Sequence, residues 1–204
     1  MGSIVTVVNS TPCTGDVQAP LKKNSQWKVA EACYLPPEFL YDSSCSVHVM
    51  RTSVILPRSR DEIFAFFSDA FQLQRLTPEW VNFGILTPAP ILIREGCLID
   101  YKLRIHGIPV RWRTEISSWN PPFAFTDRQL KGPYSLWEHR HIFEEVPGGT
   151  LMHDIVRYRS PGGRLLNWLF VENDVRRIFE FRALKMIELF PAIEDSAISA
   201  ASAK

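Results

Sequence analysis

Between Val81 and Arg159 the chain contains no stretch of helical periodicity. Six segments, 81–87, 98–106, 109–119, 122–130, 135–145 and 150–159, instead read as strands. Turn chemistry separates them: Pro88-Ala89-Pro90, Gly107, Asn120-Pro121-Pro122, Lys131-Gly132-Pro133 and Pro147-Gly148-Gly149. Strands joined by turns this short predict an antiparallel meander. Such a sheet must bury one face, and the flanking sequence has to supply what covers it.

On the N-terminal side, the β-branched run Ser46–Leu56, ended by Pro57, predicts a further strand. Ser59-Arg60-Asp61-Glu62 before Ile63, Phe64, Phe66 and Phe67 is a capping box opening an amphipathic helix. A second short helix, around Ala70 to Leu76, ends before Pro78. After Pro161-Gly162-Gly163, the longest helical pattern runs from Arg164 to Phe190 and stops at Pro191. The predicted fold is α+β: an antiparallel sheet of about seven strands curled around a long C-terminal helix, with two short helices after the first strand. The domain spans residues 46–191. Residues 1–45, with Pro36-Pro37 and Asp42-Ser43-Ser44, read as an irregular extension, and 192–204 as a small-residue tail.

Composition narrows the function classes. The chain has 204 residues, and its 23 Lys+Arg against 22 Asp+Glu give a net charge of +1, so no basic stripe points to nucleic acid. Charged residues or prolines interrupt every apolar run, so no transmembrane segment is predicted. Cys13, Cys33, Cys45 and Cys97 show no paired spacing and no signal peptide is evident, which makes a reduced, cytoplasmic protein the expectation. Met1-Gly2-Ser3-Ile4-Val5-Thr6 fits a loose myristoylation pattern that proves little alone.

The order of elements resembles the START-related helix-grip (SRPBCC) superfamily, which includes polyketide cyclases, coenzyme-Q-binding START proteins and plant Bet v 1-type proteins. Within it, Phe66-Phe67-Ser68-Asp69, Leu76-Thr77-Pro78, Ile85-Leu86-Thr87-Pro88, Arg94-Glu95-Gly96, Ile99-Asp100-Tyr101, Gly107-Ile108-Pro109, Trp112-Arg113-Thr114 and Gly132-Pro133-Tyr134 are similar to a bacterial ligand-binding branch. The resemblance covers about residues 46–190. It implies a cavity between the sheet and the C-terminal helix, and it implies neither a metal nor another cofactor.

Alternation names the inner face. Ile99, Tyr101, Leu103 and Ile105 share one side of their strand, and Val110, Trp112, Thr114 and Ile116 share one side of the next; Asp100, Lys102, Arg111 and Arg113 lie opposite. On the last three strands the apolar phase carries polar passengers. Phe123 and Phe125 are in phase with Asp127 and Gln129, Trp137 and Phe143 with His139 and His141, and Met152 and Val156 with Asp154 and Tyr158. With tight connections between these strands, Asp127 falls opposite His139 and His141 opposite Asp154. The helix turns Trp168, Val171, Val175, Ile178 and Phe179 inward. Arg182 follows where an apolar residue is expected, and is read as a snorkelling rim residue in preference to an inward anchor for a carboxylate or phenolate.

Inward polar groups cost several kcal/mol unless they are paired or wet. They could serve only as core hydrogen bonds holding strand register, or they could mark the polar end of a ligand cavity. His139 and His141 with a nearby Asp also match two-His, one-carboxylate metal ligation, but this spacing is common by chance, and no metal or cofactor is expected. His–Asp pairs suit proton transfer, which makes His139, His141, Asp127 and Asp154 the catalytic candidates, none of them firm. The sequence carries no G-x-S-x-G, P-loop, G-x-G-x-x-G or HExxH pattern. The preferred reading is therefore binding or carrying of a small hydrophobic molecule, a lipid, quinone or polyketide-like aromatic, exchanged through transient contact with a membrane or protein. One alternative is a cyclase, aromatase or dehydratase; another is an interaction module with a filled core.

Overall fold

The computed structural model describes residues 32–160 and 162–191. The myristoylation-like start, most of the N-terminal extension and the tail after Pro191 lie outside them. The strands are β1 (Cys33–Asp42), β2 (Val47–Leu56), β3 (Gly84–Ile85), β4 (Leu98–Ile105), β5 (Ile108–Asn120), β6 (Ala124–Lys131), β7 (Leu136–Val146) and β8 (Gly149–Arg159). The helices are α1 (Arg60–Phe67), α2 (Gln72–Arg75), α3 (Gly163–Leu166) and α4 (Glu172–Leu189), with a π turn over Asn167–Val171 joining the last two. One antiparallel eight-stranded sheet runs in the order β1-β2-β8-β7-β6-β5-β4-β3, and the long C-terminal helix packs against it. This is the predicted α+β class with one strand more than expected.

The extra strand is β1, and over Cys33–Asp42 it corrects the reading of the extension as irregular. Pro36-Pro37 suggested a turn, but here the two prolines sit in a bulge, where the register slips between Leu35 and Glu38. Proline donates no ladder hydrogen bond, so an edge strand tolerates it where an inner strand does not. Tyr34 is buried against the main core and Thr52 Oγ1 donates to the Leu35 carbonyl at 2.6 Å. At the opposite edge the predicted strand 81–87 shrinks to Gly84–Ile85, because Glu79–Val81 forms a 3-10 turn closed by Asn82 in the left-handed region.

The Ser59 half of the capping box forms as read, while the Glu62 carboxylate pairs with Arg58 at 3.3 Å. Ser59 Oγ accepts from the Glu62 backbone N–H at 3.3 Å, and α1 buries Ile63, Phe64 and Phe67. The long helix departs from a regular 3.6-residue repeat. At the π turn the inner position passes to Asn167, which is buried with its Nδ2 3.2 Å from His48 Nδ1, while Trp168 is 71% exposed. The expected inward stripe therefore loses Trp168 but keeps Val171 and Ile178, partly buried, and Val175 and Phe179, buried, against one cluster. Arg176 fixes the helix over the sheet edge, donating to the Pro37 carbonyl at 2.9 Å with its guanidinium 4.6 Å from the Phe39 ring centroid.

Buried apolar residues fall into three clusters. The largest joins β1, β2, α1 and the C-terminal half of α4, the second lies under the N-terminal half of α4, and the third surrounds Ile99 and Tyr101. On the outer face, Arg113 makes two 2.8 Å bonds to the Asp100 carboxylate, as the alternation of β4 and β5 predicted.

If β1 is an integral strand, Tyr34→Ala removes a core ring and lowers the unfolding free energy by roughly 2–3 kcal/mol. Urea denaturation checks this; an unchanged midpoint would return β1 to the status of a loose extension.

Candidate functional site

A cavity of about 220 Å3 opens between the sheet, α1–α2 and α4, bordered by members of all three core clusters. The predicted inner face of the β4–β5 hairpin supplies Tyr101, Leu103, Trp112 and Thr114 to its wall. Phe125 and Asp127 come from β6, and Trp137, His139 and His141 from β7. From α4 come Val175, Ile178, Phe179 and Arg182. The interior is therefore not filled.

The polar end is built by strand register. Asp127 pairs with His139 across β6–β7, and His141 with Asp154 across β7–β8, as alternation and turn length implied. Because His139 and His141 project to the same side of β7, both reach one carboxylate. His139 Nε2 lies 2.8 Å from Asp154 Oδ1 and is aligned as a donor. His141 Nδ1 is 2.8 Å from the same oxygen but off the hydrogen-bond axis, so that contact is chiefly electrostatic. On their other side, His139 Nδ1 and His141 Nε2 are each 3.6 Å from Asp127 Oδ2. The two imidazole centroids are 3.9 Å apart, with Phe125 stacked on His141 at 4.2 Å.

Burial dominates the charge states. It pushes His139 down to about 4, with the neighbouring His141 adding to the effect and Asp154 opposing it. Burial alone would raise Asp154, but Arg182 and the two imidazoles outweigh it and hold the carboxyl well below its ordinary value. Tyr101 is raised by burial and by Asp127, and stays a neutral phenol. Arg182 is 7% exposed, wedged between Phe67 and Phe179 with its Cζ 5.5 and 5.7 Å from their ring centroids, and its Nε has no hydrogen-bond partner. The structure thus places Arg182 inward, against the rim position preferred from sequence. Its neighbours on α1 and α4 are aromatic, so the guanidinium stays at cavity depth.

Three predicted lining residues stand elsewhere. Gln129 turns away to brace the β6–β7 connection, its Nε2 donating to the Tyr134 carbonyl at 2.5 Å. Asp154 lies behind the histidines, off the cavity wall. Tyr158 is fully buried beside the cavity, stacked on His48 at 5.4 Å. Phe123, read in the same phase, precedes β6 and lies exposed under Arg60 at 4.4 Å. Sequence reasoning missed the wall formed by Phe67, Leu73, Leu76 and Trp80. The apolar face of α1 marked the first of these, but nothing local aims the α2 region at a cavity.

No family model matches the sequence, and no curated protein matches it either. Solved structures do match. Protein CV1439 from Chromobacterium violaceum aligns at 12% identity with a TM-score of 0.56, over 71% of this chain and 98% of that one. Ara h 8.0201, which is Bet v 1-like, aligns at 13% identity with a TM-score of 0.52, over 71% and 97%. A nucleoside-diphosphate sugar epimerase from Corynebacterium glutamicum aligns at 24% identity with a TM-score of 0.50, over 68% of this chain and only 28% of that enzyme. These likenesses show the helix-grip fold. Among the described residues, no helix is long and apolar enough to cross a membrane.

The charge states set a pH dependence. Unfolded His139 binds a proton below about pH 6.5, whereas folded His139 does so only near 4, so stability falls as pH drops through that window. Asp154, depressed in the folded state, acts in the same direction as pH falls through its ordinary value of 3.8. In chelator-containing buffer, the thermal midpoint at pH 4.5 is expected several degrees below that at pH 7. His139→Asn should flatten the slope; an equal slope in the variant would assign the titration elsewhere.

Proposed function

We propose that this protein belongs to the START-related ligand-binding branch that its sequence resembles, and that it is a binding protein for a compact, mostly apolar molecule with one anionic oxygen group. The observation that carries this reading is the cavity's asymmetry. Trp112, Phe125, Trp137 and Phe179 give aromatic walls, and one end holds a buried guanidinium with an unpartnered Nε. An apolar cleft with a few convergent polar groups is the usual form of a small-molecule site.

Size selects among the ligands expected from sequence. A cavity of about 220 Å3 lies between the roughly 150 Å3 that holds benzene and the roughly 300 Å3 where drug-sized sites begin. One or two fused aromatic rings fit, which favours a polyketide-like aromatic over a lipid or a polyprenyl quinone. Arg182 would take the carboxylate or phenolate by charge-assisted hydrogen bonds. Proton-transfer catalysis draws less support, because His139, held neutral with its pKa near 4, is a weak general base at neutral pH.

The test uses 2-naphthoate and its neutral counterpart 2-naphthalenemethanol, followed by quenching of intrinsic tryptophan fluorescence. Naphthoate should bind with 1:1 stoichiometry. Arg182→Met should weaken it by about 10- to 100-fold, the worth of a hydrogen bond to a charged group, while changing the alcohol's affinity little. Equal losses for both probes, or no binding of either to the folded protein, would overturn the reading.

A further inference from the structure

The geometry points to a divalent transition-metal site, of the type that zinc occupies, formed by His139 Nδ1, His141 Nε2 and Asp127 Oδ2 at the polar end of the cavity. The starting observation is a convergence of acceptors. Asp154, acceptor-only when ionised, accepts from His139 Nε2 at 2.8 Å, and its charge 2.8 Å from His141 Nδ1 favours the proton on that nitrogen too, although that contact is off the hydrogen-bond axis. Their remaining nitrogens then present lone pairs toward Asp127, itself an acceptor, at 3.6 Å each. Three acceptors face one another with no donor between them, an arrangement that a cation resolves.

The spacing suits such an ion. The three donor atoms lie within 4.8 Å of one another, and the two His–Asp127 edges of 3.6 Å are close to the ~3.4 Å edge of a tetrahedron with bonds of ~2.1 Å. Two imidazoles and one carboxylate select a borderline transition ion over magnesium or calcium, which take all-oxygen sets. Asp154 completes the arrangement from behind: it holds His139 Nε2 as a carboxylate does in carboxylate–histidine–metal triads and sets its charge 2.8 Å from His141 Nδ1. His139, His141 and Asp127 all border the cavity, so the open coordination position faces the space where a ligand oxygen would sit, and Arg182 of α4 lines the same cavity. This reverses the expectation from sequence, which saw the i, i+2 histidines and the two carboxylates opposite them but could not supply the distances between them. The inference rests on donor geometry and stands whether or not the cavity binds an aromatic.

Untagged full-length protein, stripped with chelator and dialysed, is titrated with Zn2+ by calorimetry and with Co2+ by visible absorption, with Mg2+ as the hard-cation comparison. One equivalent of Zn2+ should bind, Co2+ should develop visible ligand-field bands, and Mg2+ should give neither. Asp127→Asn, at the least buried ligand, should weaken Zn2+ by at least about 100-fold, as should His141→Asn. Asp154→Asn should cost about 10- to 100-fold. His153→Asn, on the outer side of β8, should leave binding unchanged. Circular dichroism accompanies each variant, and if His141→Asn unfolds, Asp127→Asn and the Co2+ spectrum decide. No stoichiometric Zn2+ uptake by the folded protein would mean that a proton bridges these acceptors, and would overturn the site. Uptake indifferent to Asp127→Asn, or lost with His153→Asn, would overturn it equally. With naphthoate binding measured on the same chelator-stripped protein, failure here leaves that result standing, and the reverse also holds.

Discussion

The Asp154 carboxylate is the constraint on which the interior depends. A buried carboxylate costs several kcal/mol in lost hydration unless its surroundings return that energy. Here His139 donates to it, His141 lies at 2.8 Å, and the Arg182 charge comes from the helix on the other side. One anion on β8 thereby sets which way two rings on β7 face and gives α4 a reason to hold an arginine at cavity depth. The sheet and the helix are joined there by buried electrostatics, beside the apolar packing of the core clusters and the Arg176–Pro37 hydrogen bond at the edge.

The inner faces were largely legible, and for a physical reason: side chains alternate strictly along a strand, and a tight turn leaves little freedom in register. From those two rules Asp127 falls opposite His139 and His141 opposite Asp154, as observed. Beyond them the sequence becomes ambiguous. Gln129 is in phase with Asp127, but it lies close enough to the turn for its amide to satisfy backbone groups at Tyr134, and phase cannot express that competition. Arg182 looks the same in a sequence whether it snorkels or stays inside; Phe67 and Phe179, one on α1 and one a turn back on α4, decide it.

The two larger misreadings share a cause: each breaks the regular period on which pattern reading relies. In β1 the Pro36-Pro37 bulge hides a strand, since prolines are a turn signal everywhere except at a sheet edge or a bulge. In the C-terminal helix the π turn shifts the inner face by one position, so Trp168 points outward while Asn167 is buried. Both irregularities lie at the same side of the fold. Arg164 in α3 stacks 4.6 Å from the Tyr41 ring of β1, and Arg176 in α4 reaches Pro37, so the bulged strand and the widened helix start are fitted to each other.

Fold alone does not call for the polar cluster. Sequences only 12–14% identical to this one adopt a related architecture, and an interior made solely to fold gains nothing from charges. Replacing buried ion pairs with apolar groups of similar volume is often neutral or stabilising, whereas this chain keeps two carboxylates, two imidazoles and a guanidinium around one end of its cavity. Their placement is also uneven. Asp154 is sealed behind the histidines, while Asp127 keeps 19% of its side chain accessible and borders the open space. A cluster meant only to hold register would close on itself, as the Arg113–Asp100 pair does on the outer face with two matched bonds. The inner cluster instead leaves its free nitrogens on the cavity side, together with an Arg182 Nε that no atom of the described residues satisfies. Among the described residues, then, the inner cluster is open on the side where the outer-face pair is closed.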